Sequence, residues 1–79
     1  MQLFESLSER EHEVLALVAM DKTDREIASA LGIRERTVRA HVSRIILKLG
    51  VASRVGAAVA LVEWKLRSEF DSRRGGSAG

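Results

Sequence analysis

The chain has no cysteine and no proline, and its 79 residues include one tryptophan, two phenylalanines and two histidines. Without cysteine there is no disulfide, no thiolate metal site and no cysteine nucleophile. Without proline nothing locks the backbone out of a helix. His12 and His41 are too few and too far apart for a metal site, so no cofactor is expected. The longest apolar run, residues 55–62, contains Gly56 and falls far short of a bilayer span of ~20 residues. No membrane contact is expected. The opening residues, Met1 to Arg10, are mixed polar and acidic, unlike a signal peptide. These absences favour a cytoplasmic setting. With no nucleophile–base pair and no metal cluster, an enzyme is not expected.

Charge is present and unevenly placed. Residues 1–31 carry −4, residues 32–54 carry +5 and residues 55–79 carry +1, giving the net +2. The positive block centres on Arg34, Arg36, Arg39, Arg44 and Lys48, with Glu35 the one acid among them. A cationic patch of this kind suits a phosphate backbone.

Recurring Val, Ile and Leu at helical spacing predict an all-α fold, a compact four-helix domain over residues 1–70. Residues 71–79 lack an apolar anchor and are expected to form a disordered tail. Ser8 with Glu11, and Thr23 with Glu26, are capping-box pairs that open the first and second helices. Gly32 and Gly50 are placed to end the second and third helices. Ser53 opens a fourth, reaching about Phe70. A short second helix, a tight turn at Gly32 and a basic third helix make a helix-turn-helix.

The third helix divides into faces at about 100° per residue. Val38, Val42, Ile45, Ile46 and Leu49 share an apolar side that docks on a core. Arg36, Arg39, Ala40, Ser43 and Leu47 share the opposite side, flanked by Arg44 and Lys48. Small residues at Ala40 and Ser43 let the helix approach a surface closely. The arginines around them reach phosphates and guanine edges. Leu47 fits three placements: past the groove, against a thymine methyl, or packed on the first helix.

The fourth helix has two apolar sides, one with Ala57, Ala58 and Leu61, the other with Val55, Val59, Val62 and Leu66. The second side is either half-buried or a self-association surface. Trp64 is an interface anchor or a core cover. His41 is read as packing, and Glu11 and Glu13 as capping and salt-link residues.

Leu7-Ser-Glu-Arg-Glu-His-Glu-Val-Leu15, Thr23-Asp-Arg-Glu-Ile-Ala28, Leu31-Gly-Ile33, Thr37-Val-Arg-Ala-His41 and Lys48-Leu-Gly-Val-Ala-Ser-Arg54 occur in order. Together they resemble the LuxR-type (GerE-like) helix-turn-helix domain over about residues 7–66. The resemblance implies a DNA-binding effector domain of a bacterial response regulator or similar transcription regulator. Its third helix would enter the major groove. It implies base reading by Arg39, Ala40 and Ser43, phosphate contacts from Thr23, Thr37, Arg44 and Lys48, and a dimer contact through the fourth helix; the face pattern adds Arg36 to the phosphate set and makes Val55, Val59, Val62 and Leu66 the surface of a weak homodimer. It also implies a sensory or receiver module in a longer parent chain. Two positions depart from the family pattern: Arg34 stands where a capping Ser is common, and Met20-Asp-Lys22 stands where a Gly is common.

Two other readings compete. A promoter-recognising sigma-factor region shares the Glu-Ile-Ala and Leu-Gly plan, but Thr37-Val-Arg-Ala-His41 argues against it. A helical protein-interaction module would have no use for Arg39 on duplex DNA.

Overall fold

The structure is a computed structural model that describes the backbone of residues 2–78 and the side chains of residues 3–71. Five helices follow one another: α1 (Gln2–Glu5), α2 (Glu9–Ala19), α3 (Asp24–Leu31), α4 (Glu35–Leu49) and α5 (Arg54–Ala78). The four expected helices are α2 to α5.

Their ends follow from local chemistry. Ser8 Oγ accepts the Glu11 amide at 3.1 Å, and Glu11 Oε1 accepts the Ser8 amide at 2.9 Å. Thr23 and Glu26 repeat this reciprocal pair at 3.1 and 2.9 Å. Each box satisfies two donors that a helix start leaves open. Gly32 and Gly50 sit at φ 68 and 67, the left-handed conformation that closes α3 and α4. The α2–α3 turn reaches the same shape without glycine. Asp21 holds φ 64, its amide donates to the Val18 carbonyl at 2.9 Å, and the Lys22 amide donates to Leu17 at 3.1 Å. Ser53 Oγ accepts the Gly56 amide at 3.3 Å and opens α5.

Val14, Leu15, Ile27, Val38 and Ile45 are fully buried and form the heart of the core. α2 packs across both α4 and α5, and α3 packs on α4. The three-residue turn Gly32-Ile33-Arg34 therefore holds α3 and α4 as a helix-turn-helix, with Ile33 half-buried beneath it.

Two expectations change. The first is α1, which is too short to show a period. Phe4 and Leu7 are buried, and the Phe4 ring stacks on Trp64 with centroids 4.9 Å apart. Trp64 is thus a core cover. The second is the tail. α5 continues past Phe70 and its backbone stays helical to Ala78, where a disordered segment over 71–79 is expected. Gly79 lies outside the described residues.

Candidate nucleic-acid interface

α4 carries the site because one of its sides is fixed to the core. Val38, Val42, Ile45 and Leu49 are buried, and Ile46 is half-buried. The other side is open: Arg36, Arg39, Ala40, Ser43, Arg44 and Leu47 are exposed, and Thr37 is half-buried at its edge. The structure thus brings the expected base-reading set, Arg39, Ala40 and Ser43, onto one exposed surface, with Arg36 and Arg44 beside it.

Arg39 stands 3.8 Å from Glu35 one turn earlier, with both side chains well exposed. Such pairs contribute only about 0.3–0.5 kcal/mol, so Arg39 is readily released to a stronger partner. Arg34, Arg36 and Arg44 are exposed and make no ion pair among the described residues. Arg34 is the N-cap of α4 and makes no side-chain capping bond, as its departure from a capping residue implies.

Lys48, expected as a phosphate contact, is paired within the domain. Its Nζ lies 2.8 Å from Glu11 Oε1 and donates to the Ser6 carbonyl at 3.2 Å. Glu11 is only 3% exposed, so the carboxylate needs a cation and Lys48 supplies it. Position sets this outcome: Lys48 sits about 120° round α4 from Arg36, on the shoulder nearest α2. Burial pushes the Glu11 carboxyl up, but the Lys48 ammonium, the Ser8 amide and the charges of Lys48 and His41 hold it below the ordinary glutamate value. Sequence reasoning missed this buried pair. The sequence marks Glu11 as a capping and salt-link residue but does not point to Lys48 as its partner.

Arg54 is likewise committed. Its guanidinium pairs with Asp24 and donates to the Lys22 carbonyl at 2.9 Å, tying the start of α5 to the start of α3. Thr23 is exposed beside them, with its hydroxyl oxygen used in the cap. His41 is half-buried and its Nδ1 has no hydrogen-bond partner. Leu47 is 81% exposed, so it does not pack on α2.

On α5 the two apolar sides separate. Ala57 and Leu61 are buried, whereas Val55, Val59, Val62 and Leu66 are exposed along one stripe.

The profile of the family described as bacterial regulatory proteins, luxR family, matches residues 5–61. The chain belongs to the luxR family. The spore germination protein GerE of Bacillus subtilis is 52% identical over 56 residues, covering 71% of this chain and 76% of GerE. The uncharacterized transcriptional regulatory protein YhcZ of the same organism is 45% identical over 64 residues, 81% of this chain and 30% of YhcZ. The response regulator protein VraR of Staphylococcus aureus is 47% identical over 58 residues, 73% of this chain and 28% of VraR. The chain therefore spans less than a third of the length of YhcZ and VraR. Within this luxR-family domain, α1 and Trp64 extend the core at the edges of the matched span. Asp21 reproduces with a side chain the left-handed turn for which glycine is the usual choice.

Proposed function

We propose that this luxR-family domain binds double-stranded DNA sequence-specifically, with α4 lying in the major groove. The observation that carries the reading is the division of α4 into a buried apolar side and an open side of arginines around Ala40 and Ser43. Arg39 reads guanine through its two major-groove acceptors, and Ala40 and Ser43 let the backbone come close enough for it to do so. Arg36, Arg44 and Thr37 at the edges, and Thr23 at the start of α3, hold phosphates. Lys48 is left out of that set because it serves Glu11.

The exposed stripe Val55, Val59, Val62 and Leu66 supports a weak homodimer through α5. One helix face offers a small interface beside the ~800 Å² per partner of a standard one, so the isolated domain is expected to pair weakly. A two-fold pair of this kind reads a palindromic site. The domain acts in the cytoplasm without catalysis. In a longer parent chain it would follow a sensory or receiver module, a reading that the name of VraR as a response regulator supports.

Selection of bound duplexes from a random DNA pool tests the reading. It should enrich one motif, present as paired half-sites. A pool that stays random after selection would contradict it.

A further inference from the structure

Leu47 is the most exposed large apolar side chain of the described residues, and it stands on the face assigned to DNA. Arg36, Ala40, Ser43 and Leu47 follow at four-, three- and four-residue steps, which places them in one row along α4. The first three are cationic or small, as a groove-lining row requires. A leucine in that row has no use for a phosphate, and leaving it in water forgoes the gain of burying it. Neither the core nor α5 takes it up.

The major groove offers one apolar group, the C5-methyl of thymine. We infer that Leu47 is a further specificity-determining residue, selecting a thymine by packing on its methyl group. The inference rests on the reading of α4 as the groove helix. The eight residues from Arg39 to Leu47 span roughly 12 Å along the helix. At ~3.4 Å per base pair, the thymine lies about three to four pairs from the guanine read by Arg39. Other exposed residues on the row, Ala40 and Ser43, are too short to fill that position.

The test uses the enriched duplex and copies of it in which each thymine in turn is replaced by deoxyuridine, which removes the methyl and nothing else. Binding is measured for the unaltered protein and for Leu47→Ala, whose exposed position leaves the fold intact. One replacement, three or four pairs from the essential guanine, should weaken the unaltered protein about fourfold, the value of one buried methyl. Leu47→Ala should bind the thymine duplex about fourfold more weakly and lose the response to that replacement, as coupled partners do. If the replacement weakens both proteins equally, or no replacement has an effect, the inference is overturned while groove binding stands. If neither protein distinguishes the enriched duplex from random DNA, the reading of α4 as the base-reading helix fails with it. A protein-binding role for Leu47 would show as unchanged DNA affinity in Leu47→Ala, which also overturns the inference.

Discussion

The Lys48 ammonium on α4 lies 2.8 Å from a Glu11 carboxylate buried on α2, and the same ammonium holds the Ser6 carbonyl. One side chain thus fastens α4 to α2 and to the segment that carries α1. The Glu11 carboxylate also accepts the Ser8 amide, so the α2 cap and the Lys48 ammonium meet at a single oxygen. The orientation of the arginine face depends on this joint. Truncating Lys48 leaves a buried carboxylate without its cation. Lys48→Ala should destabilise the domain by about 1–3 kcal/mol in denaturant unfolding, with no equivalent loss for the exposed Arg44→Ala.

Acid should act on the same joint. The folded-state Glu11 value is depressed, so its contribution is present above the unfolded glutamate value and is lost as pH falls through the folded one. Glu26, held low chiefly by the Thr23 amide, follows the same direction at the exposed start of α3. Melting temperature should therefore decline once pH drops below about 4.5. In Lys48→Ala the buried carboxyl accepts a proton more readily. The stability gap between variant and parent should narrow as pH falls across that range, and a gap that widens would refute the assignment.

Asp21 pays a conformational cost at φ 64 that glycine would avoid. Asp21→Gly should raise stability by about 0.5–1 kcal/mol, whereas Asp21→Val should lower it. Thermal unfolding of both variants checks the sign.

Arg39→Ala should lose about 1–3 kcal/mol of binding on the enriched duplex and far less on random DNA. Equal losses on the two duplexes would make Arg39 a phosphate contact.

The helix caps and the two sides of α4 were legible because they depend on residues within a turn or two of one another. Ser8 with Glu11 and Thr23 with Glu26 are three residues apart, and the apolar period of α4 runs through the whole helix. Lys48 was not legible in this way, since its partner lies 37 residues away and the shoulder of a helix points to either neighbour. α1 escaped for a related reason. Four residues carry no period, and the Phe4–Trp64 stack that anchors it joins opposite ends of the chain. The left-handed turn at Asp21 was visible only as a departure, because aspartate enters that conformation without announcing it.

The central claim is that the open side of α4 is an ionic DNA surface built from arginines and not from Lys48. Duplex affinity measured across several salt concentrations tests it directly. Arg36 and Arg44 at the phosphates, with Arg34 exposed beside them, supply two or three ionic contacts per monomer, so log affinity should fall against log salt with a slope of about −2 to −3. Arg44→Ala should flatten that slope by about one, and Lys48→Ala should leave it unchanged. Absence of duplex binding at the lowest salt, or a slope that Lys48→Ala flattens and Arg44→Ala does not, would contradict the account.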